Sequence, residues 1–188
     1  MPVPQICMPL ATGYSYPAQS IPPQRSIIKI CSPLSLPSTL VWDIRKPPSS
    51  ATTTIGQGRA IFSAATAPIT DHIAITCRIK IINKIWSDIE VTESPVTIDC
   101  VLKAIYDYFQ EKITEEEYRA IQELNPRKYP DLLNNARNER ARLLIQKRES
   151  VYRVPLRRVD CLGDKHTFEG LEVEYLSDGS HSVVLHLV

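Results

Sequence analysis

The sequence predicts an α+β fold: a largely antiparallel sheet with about three helices inserted between N-terminal and C-terminal strands. Three observations carry this. From Ile73 to Ile82, isoleucines and Cys77 alternate with Ala74, Thr76, Arg78 and Lys80, the period of a strand with one buried face. From Ile98 to about Lys147 the apolar residues recur at helical spacing in three successive blocks. From Leu156 onward alternation returns, and Ser177-Asp178-Gly179-Ser180 reads as a hairpin turn. Strands, then helices, then strands, in separate blocks, favour antiparallel pairing over βαβ repeats.

The elements follow in order. Residues 1–25 hold six of the fifteen prolines and one charge, Arg25, so they read as a disordered Pro-rich tail, leaving residues 26–188 as a single α+β domain. Leu40 to Ile44, bounded by prolines, is a short strand, and Thr52 to Ile55 a second, with Gly56 and Gly58 as a turn. Arg59 to Thr66 is a third candidate. The Ile73–Ile82 strand is followed by Ile85, Ile89 and Val91, a partner strand. Thr97 is placed to cap the first helix, with Asp99 favourable to its dipole. Thr114 and Glu117 form a capping box for a short second helix, which Asn125-Pro126 ends. A third helix runs from about Asp131 to Lys147. Leu156 to Leu162 reads as a strand, and Leu171–Tyr175 and Val183–Leu187 as the arms of a hairpin.

Composition narrows the function classes. The net charge of +1 makes no global demand for nucleic acid or an anionic membrane. No apolar run approaches the roughly 18 residues of a membrane span, and Met1 to Gln24 does not read as a secretory signal. The five cysteines, Cys7, Cys31, Cys77, Cys100 and Cys161, form no CxxC pair and read as reduced thiols of an intracellular protein, cytoplasmic or nuclear. Charge is unevenly spread. Asp88 to Glu123 carries ten acids against three bases, and Arg127 to Lys165 eleven bases against five acids. The two blocks are expected to pack as neighbours, with acids such as Asp107, Glu115 and Glu116 facing Arg137, Arg140 or Arg148.

Three strings resemble a known family: Leu40-Val41-Trp42-Asp43-Ile44, Val96-Thr97 through Ile105-Tyr106, and Arg157-Arg158-Val159-Asp160-Cys161-Leu162-Gly163. With the Ile-rich strand and Trp86, they are similar to an uncharacterised domain-of-unknown-function family of mushroom-forming (basidiomycete) fungi. That family carries a Trp-Asp strand, a Val-Thr helix start and an Arg-Val-Asp strand. The resemblance covers about residues 38–176. Cys161 stands where the family more often has an aromatic, and Ile85-Trp86 where Pro-Trp is more usual. The family has no assigned activity, so it implies no catalytic residue.

The residues themselves offer several leads. Cys100 sits in the first turn of the first helix, where the helix field favours a thiolate. Cys161 and His166 flank a turn and form the other candidate for a thiol-dependent enzyme. The bland reading of each cysteine is an inert packed thiol. Arg137, Arg140 and Lys147 share one face of the third helix and are the candidates for phosphate contacts with nucleic acid, although a charged helix face is usually only solvated. His72, His166, His181 and His186 make no ligand set, so neither metal nor cofactor is expected. Trp42 and Trp86 read as core with bonded indoles, and Asp160 as a partner for a nearby arginine. The preferred reading is a non-catalytic protein-interaction domain of unknown partner.

Overall fold

The structure, a computed structural model, describes residues 27–53, 62–146, 154–178 and 180–188. Its strands are β1 (Lys29–Ile30), β2 (Leu40–Val41), β3 (Thr52–Thr53), β4 (Thr66–Ala67), β5 (His72–Cys77), β6 (Ile89–Thr92), β7 (Phe168–Tyr175) and β8 (His181–Leu187). Its α-helices are α1 (Lys80–Ile85), α2 (Ile98–Gln110), α3 (Glu115–Leu124) and α4 (Tyr129–Gln146). The chain is thus mixed α+β. The main sheet has the order β6-β5-β8-β7. Its outer pairs are antiparallel, as the sequence suggests, and its central pair, β5 with β8, is parallel. After β6 the chain runs through α2, α3 and α4 before β7 begins. The β7–β8 hairpin then returns beside β5 in the same direction.

Two expectations are corrected. The strand beginning at Ile73 stops at Cys77, and Lys80–Ile85 is a six-residue helix, so there are four helices and not three among the described residues. Ile81 and Ile82 are both buried. Consecutive strand residues point to opposite faces, whereas a helical turn can sink both into one core. The bonds Asn83 N–H to Ile79 O (3.0 Å) and Trp86 N–H to Ile82 O (2.9 Å) close that turn. The second correction lies at Leu156–Leu162, which is no strand but a 3-10 turn over Arg158–Cys161. The Asp160 carboxylate accepts the Arg157 N–H at 2.7 Å, and the Asp160 N–H donates to the Arg157 carbonyl at 2.9 Å. This local side-chain bond competes with strand pairing. Val159, Cys161 and Leu162 are all buried by the turn, which alternation would not allow.

One face of the sheet carries Ile73, Ile75, Cys77, Val183 and Leu185, which join the buried residues of α2 in the main core. Ile98, Val101, Leu102, Ile105 and Phe109 of α2 are each fully buried. Burial of each such large side chain is worth about 1.5–3 kcal/mol. The opposite face is largely polar, with Val184 buried at its centre between Thr76 and Glu172. There His72 bonds Glu90 (2.6 Å), Arg78 pairs with Glu174, and His186 lies 3.0 Å from Glu172.

The N-terminal pieces fasten the free edge of β7. Leu171 N–H donates to Leu34 O (2.7 Å), Phe168 N–H to Trp42 O (2.8 Å), and Ile44 N–H to His166 O (2.9 Å). Gly170 permits this approach. Its φ is 146°, and a Cβ there would lie 2.8 Å from the Leu36 Cα. β2 pairs with β3, and β1 with β4; Thr54 and Ile55 of the expected Thr52–Ile55 strand lie outside the described residues. Gly56, Gly58 and residues 59–61 of the Arg59–Thr66 candidate lie outside the described residues, as do the 1–25 tail and Lys147; of the rest of that candidate only Thr66 lies in a strand, β4.

The caps stand where the sequence puts them. The Thr97 hydroxyl accepts the Cys100 N–H at 3.3 Å, and Thr114 and Glu117 form the reciprocal box. Trp42 is buried with its indole N–H donating to Lys46 O (3.0 Å), and the Trp86 indole donates to Glu117. The named pairs between helices are not what forms among the described residues: Glu115 meets Arg119 in its own helix and Arg140 of α4 meets Asp160 of its own block, while Arg148 lies outside the described residues. The two blocks meet instead through Arg158 of the 3-10 turn, which answers Glu111 and Glu117. Acids near the core take the cation that tertiary packing brings within reach, and exposed α4 arginines are left to solvent.

Candidate functional site

The helix α4 stands over two adjoining clefts. Its anchor is Leu133, fully buried, while Ile145 near its end is 61% exposed. Leu132, one position before the anchor, touches the loop after the 3-10 turn. Gly163 makes room there: its φ is 66°, and a Cβ would come within 3.3 Å of Leu132 Cδ1. Leu132 and Gly163 line both clefts and form the waist between them.

The first cleft, about 610 Å³, opens between α4, the end of α2 and the 3-10 turn. Arg45, Gln110, Glu139, Arg140 and Asp160 supply its polar walls. Arg140 pairs with Asp160, and Arg157 donates to the Gln110 side-chain carbonyl. Nε2 of Gln110 and Nε of Arg140 and Arg157 are buried without an acceptor among the described residues. An unpaired buried donor costs about 1–3 kcal/mol, so this network has room for acceptors. At the rim, Arg45 forms a fork on Asp43 (2.7–3.2 Å). Burial raises the Asp43 carboxyl, and the Arg45 hydrogen bonds outweigh it, leaving the pKa below its ordinary value.

The second cleft, about 450 Å³, lies where the ends of β5 and β8 meet the start of α4. Its floor is apolar, with Ile81, Leu162, Leu185 and Leu187 all buried. Around it stand Lys80, Lys128 and Lys165, with Asp164 as the carboxylate of the lining. No ion pair engages any of the three lysines among the described residues. Each is set by local backbone chemistry. Lys80 opens α1. The Asn125 side chain accepts the Lys128 N–H (3.1 Å) and folds the turn before α4. The Lys165 N–H bonds Leu162 O (3.3 Å) past the Gly163 turn.

The residues singled out from sequence fall in several places. Cys161 is buried in the wall of the second cleft, and burial, with the Asp160 and Glu117 charges, pushes its thiol up to about 12. His166 sits beside Asp43, with its Nδ1 buried and unbonded; no hydrogen bond joins it to Cys161. Cys100 is half-buried against the core, and its sulfur accepts from the Thr97 hydroxyl at 3.0 Å. Burial likewise raises Cys77, to about 11. Arg137 is exposed, Arg140 is held by Asp160, and Lys147 lies outside the described residues. No three His, Cys, Asp or Glu side chains converge as metal ligands among the described residues. No described helix is long and apolar enough to cross a membrane.

Sequence reasoning missed Lys80, Lys128 and Lys165. They come from three distant segments, so no spacing could join them. It also gave no ring contact to Arg158, whose guanidinium lies 5.2 Å from the Trp86 ring centroid and 4.6 Å from that of Tyr108. That cluster braces the 3-10 turn and thus the walls of both clefts.

Searches of curated proteins and of solved structures found no match to this chain. The profile of a family of unknown function, DUF6699, matches residues 40–181, and the chain belongs to that family.

Proposed function

We propose that residues 26–188 form a single α+β domain behind a Pro-rich tail over residues 1–25, and that this domain is a non-catalytic protein-interaction module. Its setting in this reading is intracellular, cytoplasmic or nuclear, in a mushroom-forming fungus. The observation that carries the reading is the pair of adjoining clefts under α4. Their polar lining is made of side chains that recognise, chiefly guanidinium, ammonium and amide groups, around an apolar floor. The thiol-enzyme alternative has Cys161 in the second cleft in its favour. Against it stands a pKa near 12, which keeps the thiol protonated and weakly nucleophilic at neutral pH. Nucleic-acid binding through Arg137, Arg140 and Lys147 is weakened by the Asp160 partner of Arg140.

Site-specific photo-crosslinking tests the proposal. Benzoylphenylalanine replaces Asn135 or Lys128 at the cleft mouths, or Thr92 on the far side of the sheet as a control. The expected result is one partner captured from both cleft positions and not from Thr92, which then binds the purified chain. Equal capture from all three positions, or none, refutes the reading. So does fast alkylation of Cys161 by iodoacetamide at pH 7, with loss of a measured turnover.

A further inference from the structure

We infer that the groove under α4 recognises an acidic peptide, in which carboxylate side chains alternate with apolar ones. The inference rests on the interaction reading above and names the chemistry of the partner. Three features point the same way. The second cleft places three ammonium groups, from Lys80, Lys128 and Lys165, around a floor of Ile81, Leu162 and Leu185, with Asp164 the opposing carboxylate. None of these lysines is neutralised by an ion pair among the described residues, so their charge is available to a ligand. A volume of about 450 Å³ holds one or two side chains rather than a folded domain. The ligand that fits these three features is small in section, apolar toward the floor and anionic toward the rim.

The first cleft extends the same surface past the Leu132–Gly163 waist. Gln110 and Arg140 line it, and each has a buried N–H without an acceptor. A peptide chain crossing the waist brings carbonyl oxygens to these donors once the side chains turn toward the cleft. The guanidinium of Arg140, already paired with Asp160, adds little net charge there. The groove therefore holds a cationic lobe and a hydrogen-bonding lobe, in that order along a bound chain.

A peptide suits the groove better than a nucleic acid. Asp164 in one lobe, and Glu139 and Asp160 in the other, interrupt the cationic lining. A polyanion with a charge at every residue would meet those carboxylates, whereas a peptide can set an uncharged residue opposite each. The apolar floor offers nothing to a phosphate.

The test is fluorescence polarisation with the full chain and four labelled probes: a peptide of alternating Glu and Leu, the same with Gln for Glu, the same with Lys for Glu, and a single-stranded RNA. The Glu peptide is expected to bind, and its affinity to fall as salt rises past the concentration at which the Debye length is about 10 Å. The K80E/K128E/K165E variant should weaken binding by at least about tenfold. The lysines are exposed, so its urea midpoint should stay within the error of the parent; K80Q/K128Q/K165Q, with a smaller loss, guards against misfolding. Equal binding of the Gln or Lys peptide overturns the carboxylate preference and leaves the interaction reading standing. RNA binding lost in the variant, with no peptide bound, overturns both. No Glu-peptide binding up to about 1 mM overturns the inference alone, and the crosslinking result then decides the wider reading.

Discussion

Replacing Arg158 with alanine should be among the most destabilising changes to a charged residue in this chain. The Arg158 side chain is 14% exposed. Its guanidinium lies over two rings, Trp86 at 5.2 Å and Tyr108 at 4.6 Å, and a cation–π contact sheltered from water is worth about 1–2 kcal/mol. Its Nη2 is 2.6 Å from Glu111, which is 55% exposed, so that pair adds only about 0–1 kcal/mol. Glu117, at 3.9 Å, keeps its bonds from the Trp86 indole and the Thr114 N–H and loses little. The expected cost of Arg158→Ala is therefore about 2–4 kcal/mol, read from urea unfolding by linear extrapolation. Arg158→Lys retains a charge but not the flat face that lies over both rings, and should lose about half as much. A loss under about 0.5 kcal/mol for the alanine variant would refute the assignment, because it is no more than a surface substitution costs. Equal losses for alanine and lysine would locate the effect in the planar stack rather than the charge.

Three further outcomes are expected. Ile75→Ala, at a fully buried position in the core shared with α2, should cost about 2–5 kcal/mol, while Thr76→Ala, half-buried with its hydroxyl 3.2 Å from that of Ser182, should cost far less by the same urea assay. Gly170→Ala should cost at least about 1–3 kcal/mol, because φ of 146° is strained for alanine and its Cβ would meet the Leu36 backbone at 2.8 Å; a neutral effect in thermal melts would show that the N-terminal loop yields. Stability should fall on acidification through Glu117. Burial raises its carboxyl, but the Thr114 N–H, the Trp86 indole, the Thr114 side chain and Arg158 outweigh it, so the folded pKa lies below the ordinary 4.5. A depressed carboxyl binds its proton more weakly when folded, so its contribution is complete above 4.5 and is lost as pH falls from there through the folded pKa. Glu117→Gln should flatten that part of the profile in urea midpoints measured across it, and an unchanged slope would remove Glu117 from the account.

Elements whose geometry is set by near neighbours in the chain could be read from sequence. The Thr97 cap and the Thr114–Glu117 box depend on residues three apart, and the helical stripe of α2 and the β7–β8 hairpin depend on short periods. The α+β class followed from the order of those blocks. The buried tryptophans and an arginine partner for Asp160 were also legible, since size and charge alone demand burial or pairing, though which arginine it is, Arg140, was left to packing. Tertiary packing decided the rest. Ile79 and Ile81 continue a perfect strand alternation, yet the chain turns into α1 because Ile81 and Ile82 can both reach the core only from a helix. Leu156 to Leu162 has the composition of a strand, yet the Asp160 carboxylate bonds back to Arg157 and winds it into a 3-10 turn. The parallel β5–β8 pair, Arg158 between its two rings, and the three lysines around one apolar floor all join residues far apart in sequence. Pattern in a sequence reports the local periods of helix and strand, and it carries no signal for which distant segments a shared core will bring together.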